Sequence, residues 1–301
     1  MTARDLGRLG VWGHLDTLAA ADAVAYASRA EELGYSNLWV PETAGRDPFA
    51  LLAAVAGETR RLILGTSIVN IWGRDAQSTR MGTMTLAEAT GGRFALGLGV
   101  SHPHLAEKLR GHHFERPLAH MREYLAAYHA AVYRGPMPPI GTPEPFVLVA
   151  ALRERMTDLA ATDADGAFPY LVTPERVAWM RARMDAAAPD RRRLLAVTLP
   201  VVLAGSSADR DAARAYLTPY LRTPTYRASW ELQGFGAEDW EAPGSDRLVD
   251  AMVAIGDRSE VAGRVDALVA AGADHVAIIP IAPDGGTEHL PTLEALEGTV
   301  S

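Results

Sequence analysis

The densest concentration of chemically capable residues is the run Gly97-Leu98-Gly99-Val100-Ser101-His102, with His104, His112 and His113 close behind. It opens like the glycine-rich turn that lets a backbone approach a dinucleotide pyrophosphate. A histidine stands where the third glycine belongs, however, and Pro103 follows at once. Nothing else supports an N-terminal dinucleotide fold. A metal site needs histidines and carboxylates converging at fixed spacing. No H-E-x-x-H or comparable arrangement occurs, so no metal is expected. His112, His113, His120 and His129 read as parts of a solvated helix and loop. The chain has no cysteine, which removes thiol nucleophiles, zinc–thiolate sites and disulfides together. Lys108 is the sole lysine, which excludes a Walker-type phosphate loop, and no G-x-S-x-G elbow is present. For acid–base work His102 stands out, because imidazole titrates near neutrality and serves in either direction; otherwise it is a loop histidine capping the next helix.

These residues need a framework, and the composition allows a large one. The 301 residues carry 29 Lys plus Arg against 37 Asp plus Glu, a formal net charge of −8, with 48% hydrophobic residues. The acidic balance argues against a nucleic-acid partner, which requires a basic surface to displace counterions. No run approaches the roughly 18 apolar residues of a membrane helix. Met1-Thr2-Ala3-Arg4-Asp5 opens without an apolar signal core. A soluble cytoplasmic protein with no membrane partner is expected.

Short apolar runs alternate with helical stretches, the pattern of repeated βα units. Strands are predicted at 9–12, 37–40, 62–69, 93–99, 146–150, 164–170, 194–203 and 274–281. Between them lie helices at about 16–33, 49–58, 76–89, 121–132, 154–161, 174–187 and 209–221, and one through Val261, Val265 and Leu268. The proline-rich joint at 136–139 does not interrupt the alternation. Residues 222–246 lack clear periodicity and carry Tyr226, Trp230, Phe235 and Trp240, which reads as an insertion or lid. Eight strands in one chain fit a (β/α)8 TIM barrel, an α/β fold, forming a single domain over 1–301 with an insertion between strands seven and eight. In such a barrel chemistry sits at the C-terminal strand ends. That points to Trp12 and His14, Glu42 and Thr43, Asn70 and Trp72, Ser101 and His102, Ala151 and Arg153, Tyr170 and Thr173, and Pro280 and Ala282.

The runs Asn37-Leu38-Trp39-Val40-Pro41-Glu42, Leu62-Ile63-Leu64-Gly65-Thr66-Ser67-Ile68-Val69-Asn70 and Gly91-Gly92-Arg93-Phe94-Ala95-Leu96-Gly97-Leu98-Gly99 together resemble the bacterial luciferase-like monooxygenase superfamily. More closely, they are similar to its actinobacterial coenzyme F420-dependent oxidoreductase branch. The resemblance covers nearly the whole chain and implies a flavin or deazaflavin across the barrel mouth. In F420 enzymes the reaction is hydride transfer at C5 with a small organic substrate; in flavin relatives reduced FMN activates O2. Some relatives have lost flavin binding and form ligand-binding barrels, a third alternative.

The resemblance also assigns residues. Ser67-Ile68 matches a position where F420 relatives carry a non-prolyl cis peptide against the ring, and Val100, Ser101 and His102 match a loop at the ring edge. Glu42 matches an acidic position beside the ring, giving His102 and Glu42 as the catalytic pair. Thr43 falls where a sugar-phosphate-oxidising relative has a histidine base, so such a substrate is not expected. Asn70 is expected to bond a ring or substrate carbonyl. The cofactor phosphate is expected at Ala150, Ala151 and Arg153 and at Leu171, Val172 and Thr173, although Leu152 replaces a common glycine. Trp12, His14, Trp72 and Trp230 are expected to wall the substrate pocket. Apolar outer helices suit a homodimer.

Overall fold

The apolar runs fold as buried parallel strands. In a computed structural model describing residues 6–137, 144–203 and 209–298, these are β1 (Leu9–Trp12), β2 (Asn37–Val40), β3 (Ile63–Thr66), β4 (Val69–Asn70), β5 (Phe94–Gly99), β6 (Val147–Val149), β7 (Gly166–Ala167), β8 (Leu194–Leu203), β9 (Ala254–Gly256) and β10 (His275–Pro280). Strands β1, β2, β3, β5, β6, β7, β8 and β10 hydrogen-bond in that order, and β10 pairs with both β8 and β1, closing an eight-stranded barrel. Helices α1 (Ala20–Glu32), α2 (Pro48–Glu58), α3 (Ala76–Ala89), α4 (Pro117–Ala130), α5 (Glu154–Thr162), α6 (Pro174–Ala187) and α7 (Asp209–Leu221) follow successive barrel strands. Then come α8 (Pro224–Glu231), α9 (Ala237–Trp240), α10 (Asp246–Met252), α11 (Arg258–Ala270) and α12 (Leu290–Ala295).

Local chemistry sets the helix starts. Asp47, Asp75 and Thr173 accept hydrogen bonds from the third amide beyond them, and Pro48 and Pro174 occupy first-turn positions where a missing N–H costs nothing. On α1 the buried residues Ala23, Tyr26, Ala27 and Ala30 keep the 3, 4, 7 spacing of one helical face.

Inside the barrel, Trp39 is fully buried and meets the edge of Phe168 at 4.9 Å and 79°. Its indole N–H donates to Nε2 of His275 at 3.0 Å, so the His275 proton lies on Nδ1, which donates to the Gly7 carbonyl at 3.0 Å. Burial lowers the His275 pKa from 6.5 to about 4 and keeps this ring neutral. Gly65 makes room for the indole: a Cβ there would overlap Trp39 Cε3.

Several expectations need correction. The third strand is not continuous over 62–69; it breaks at a cis Ser67–Ile68 peptide between β3 and β4. Only Gly166–Ala167 of the predicted 164–170 strand pair as strand, and the fourth helix begins at Pro117 rather than Met121. Residues 222–246 are mostly helical; their i, i+4 pair Tyr226 and Trp230 is turned inward, and glycines and prolines between three short helices hid the period. Three-residue β9, pairing with the end of β8, was too short to announce itself. Pro138 and Pro139 lie outside the described residues.

Candidate functional site

Three strands fix the Ser67–Ile68 bulge at the C-terminal mouth. Ser67 N–H donates to Val40 O at 2.8 Å, Trp12 Nε1 donates to Ser67 O at 3.0 Å, and Glu42 N–H donates to Ile68 O at 3.1 Å. The Ile68 side chain lies against Gly99, where a Cβ would come within 2.5 Å of it. Gly99 in β5 is therefore what lets the bulge settle.

Glu42 is an ionic anchor in this arrangement. Its side chain is 7% exposed, accepts the Asn70 N–H at 2.7 Å, and pairs with Arg74 at 3.1 Å, with Arg110 at 3.9 Å. Asn70 is buried and its Oδ1 accepts the Trp72 N–H. Trp72 donates to Val100 O at 2.8 Å and stacks on His120 at 4.1 Å, which fastens the loop after β5 but keeps this indole apart from Trp12 and Trp230.

His102 lies 5.4 Å from the Tyr226 ring and 5.9 Å from His104. Burial, reinforced by His104, lowers its pKa to about 4, so the ring is neutral at pH 7. Its Nδ1 is buried without a partner. Titration near neutrality, the property that singled it out in the sequence, is removed by its surroundings. The position after the strand was legible; its desolvation by an insertion more than 100 residues downstream was not.

A line of rings connects the bulge to this histidine: Trp12 to Tyr170 at 5.9 Å, Tyr170 to Tyr226 at 5.9 Å, Tyr226 to His102. The Tyr170 hydroxyl meets those of Tyr216 and, at 2.9 Å, Tyr220. Burial raises the pKa of all four tyrosines, and each is a neutral hydroxyl. Tyr216 and Tyr220 were missed in the sequence; their i, i+4 spacing on α7 was the available signal. Trp230 is fully buried beneath Tyr226 and belongs to the interior of this roof.

Beside the roof opens a cleft of about 1090 Å³, lined among others by Val100, Ser101, Arg153, Arg155, Thr173 and Arg176. Arg153 and Arg155 stand at the start of α5 and are exposed, with no ion-pair partner among the described residues. Arg176 donates to Leu152 O at 2.6 Å and leaves a buried Nε without a partner. At the start of α6, Thr173 N–H donates to Gln233 Oε1 of the insertion at 2.8 Å. Ala150 N–H is taken by Leu98 O, and Ala151, Leu171 and Val172 are buried. Ser101 and Leu171 both have φ of 56°, in the left-handed region that is uncommon for non-glycine residues. Among the described residues no three metal-ligating side chains converge, and no helix is long and apolar enough to cross a membrane.

Comparison with known proteins gives likenesses to a family, to a relative and to solved structures. The family profile described as luciferase-like monooxygenase matches residues 5–275. A Mycobacterium tuberculosis protein provisionally named a coenzyme F420-dependent oxidoreductase is 28% identical, covering 89% of this chain and 88% of its own. Among solved structures, an F420-dependent secondary alcohol dehydrogenase bound to an F420–acetone adduct has a TM-score of 0.78 at 12% identity, covering 98% and 99% of the two chains. An FMN-bound type II Baeyer–Villiger monooxygenase component from Pseudomonas putida has 0.71 at 16% identity, covering 98% and 97%. At such identities the two structures bear on the fold alone.

Proposed function

The chain belongs to the luciferase-like monooxygenase family, and from that premise we propose that it is a coenzyme F420-dependent oxidoreductase acting on a small organic substrate. The observation that carries this reading is the cleft, which Arg153 and Arg155 line uncommitted to any carboxylate among the described residues. F420 is anionic, with a phosphodiester and a glutamate tail, and guanidinium groups at a helix start suit such oxygens. Arg176 adds a third guanidinium to the cleft lining. The 28% identical mycobacterial relative supports F420 as the partner.

Bound at the mouth, a deazaflavin supplies hydride chemistry at C5. On this reading Ser67, Ile68, Asn70, Val100 and Ser101 hold the ring side and Arg153 holds the phosphate side, while Ala150, Ala151, Leu171, Val172 and Thr173, buried or with their amides already bonded, shape the loops behind it. Glu42 positions rather than transfers protons: locked on Arg74 and the Asn70 amide, it fixes β4 beside the bulge. His102, neutral at pH 7, serves as a hydrogen-bonding partner or base and not as an acid. Trp12 walls the substrate space, whereas Trp72 braces the β5 loop and Trp230 supports the roof. Residues 222–246 act as a lid. Gln233 accepts the Thr173 N–H at the start of α6 and the Tyr226 ring packs on Tyr170, so moving this segment would loosen the line of rings that leads to the bulge.

FMN is the second reading, favoured because a single phosphate suits the same arginines and an FMN-bound structure shares the fold. Fluorescence titration with F420 and FMN, each oxidised and reduced, decides between them. Tight F420 binding with weak FMN binding supports the proposal. The reverse moves the search to oxygen-consuming reactions, and binding of neither favours a ligand-binding barrel.

A further inference from the structure

Two residues beyond β1, His14 lies at the mouth with its ring 35% exposed. Its backbone N–H donates to Thr287 Oγ1 at 3.0 Å, tying it to the loop after β10. Its Nε2 is 2.8 Å from Thr43 Oγ1 and 3.3 Å from Asp16 Oδ2. Thr43 donates its only hydroxyl proton to Asp16 Oδ2 at 3.0 Å. Toward His14 the hydroxyl therefore accepts, and Nε2 must carry the hydrogen. In the neutral ring that leaves Nδ1 bare, without a protein partner among the described residues. Asp16 is built in: its other oxygen accepts the Arg46 N–H at 3.1 Å, and a Cβ on Gly45 would overlap the carboxylate. The remaining charged neighbours are committed elsewhere. Glu288 bonds to Thr17 Oγ1 and Thr287 N–H, and Arg110 donates to Thr43 O at 3.0 Å. Trp12 and Glu42, the direct partners of Ser67 O and Ile68 O, are two and one residues from His14 and Thr43, so this triad flanks the bulge.

We propose that His14 is a further acid–base residue of this site, supplying the acid that His102 does not, with Asp16 and Thr43 as positioning residues, and that its Nδ1 exchanges a proton with the oxygen of a small carbonyl or alcohol substrate. The inference rests on the oxidoreductase reading and deepens it. In the reducing direction His14 delivers the proton. The C=O π bond breaks as its carbon receives a hydride from reduced deazaflavin, the released pair on oxygen takes the Nδ1 proton, and the imidazole, left neutral, regains a proton from solvent, balanced by the ring N–H proton that the deazaflavin releases to solvent on oxidation. Asp16 holds the cationic ring beforehand, and the Thr43 contact fixes its orientation.

The test has two arms. In 15N-histidine NMR of the full chain, neutral His14 is expected as the Nε2–H tautomer, a preference lost in Asp16→Asn and Thr43→Val; an Nδ1–H tautomer, or one indifferent to both changes, overturns the triad. In the second arm F420H2 binding is measured first, then single-turnover reduction of cyclohexanone and cyclohex-2-enone. His14→Ala is expected to lose at least about a hundredfold in rate, to keep cofactor affinity within about twofold, and to recover rate with added imidazole. His14→Gln, which keeps a donor toward Thr43, is expected to be as slow. Undiminished rates in either variant overturn the proposal. If F420H2 does not bind, or neither probe is reduced by the wild type, that failure belongs to the oxidoreductase reading, and the tautomer alone decides the triad.

Discussion

Acid should loosen this barrel through His275. The ring is fully buried, hydrogen-bonded at both nitrogens in its neutral form, and its pKa falls from 6.5 to about 4 on folding. A histidine depressed in the folded state binds its proton more readily when unfolded, so stability is intact above about pH 6.5 and declines as pH falls toward 4. With those two values the loss is about 2 kcal/mol at pH 5 and about 3 kcal/mol at pH 4, a large share of a typical domain's stability. Urea unfolding of wild type and His275→Gln at pH 7.5, 6, 5 and 4.5 isolates the effect, because the carboxylates are common to both. The glutamine variant starts less stable but should lose less on acidification, the gap between the two narrowing by about 2 kcal/mol by pH 5. Parallel curves would show that the buried ring does not carry this difference and would refute the reasoning.

Three other expectations follow from the packing and the cleft. Arg153→Ala with Arg155→Ala should weaken the preferred cofactor by about tenfold or more, since a hydrogen bond to a charged group contributes roughly 1.5–3 kcal/mol; fluorescence titration checks this, and unchanged affinity would place the anion elsewhere. His102→Ala should lower turnover far more than cofactor affinity, read as a fall in kcat with little change in the binding titration. Gly65→Ala should cost about 1–3 kcal/mol by forcing a methyl against Trp39, which is pinned by His275 and Phe168 and cannot yield; the urea midpoint reports it.

The framework was legible because buried parallel strands write themselves as continuous apolar runs. All eight barrel strands sit where Leu9–Trp12, Asn37–Val40 and their successors predict, and the insertion lies between strands seven and eight. The details that escaped depend on contacts between distant segments. Composition around Ser67 cannot announce a bulge held by Trp12, Val40 and Glu42; only the family resemblance marked Ser67-Ile68 for the cis peptide found there. The state of His102 depends on Tyr226, and the role of Glu42 depends on Arg74. His14 could be named from its place after β1, but the meeting of His14 and Asp16 with Thr43 required loops 27 to 29 residues apart to come together.

The two halves of the mouth differ in what they tolerate, and that difference orients any ligand that spans them. The cleft side offers Arg153, Arg155 and two helix starts, so it takes the charged end. The roof side offers neutral tyrosine hydroxyls and indoles with depressed access to water, where an anion would lose its hydration without a cation to replace it. A molecule with a planar neutral head and an anionic tail therefore has one favourable direction of entry, tail on α5 and α6, head toward Trp12 and the bulge. By the strand order, His14 after β1 stands across the barrel from the arginines that follow β6.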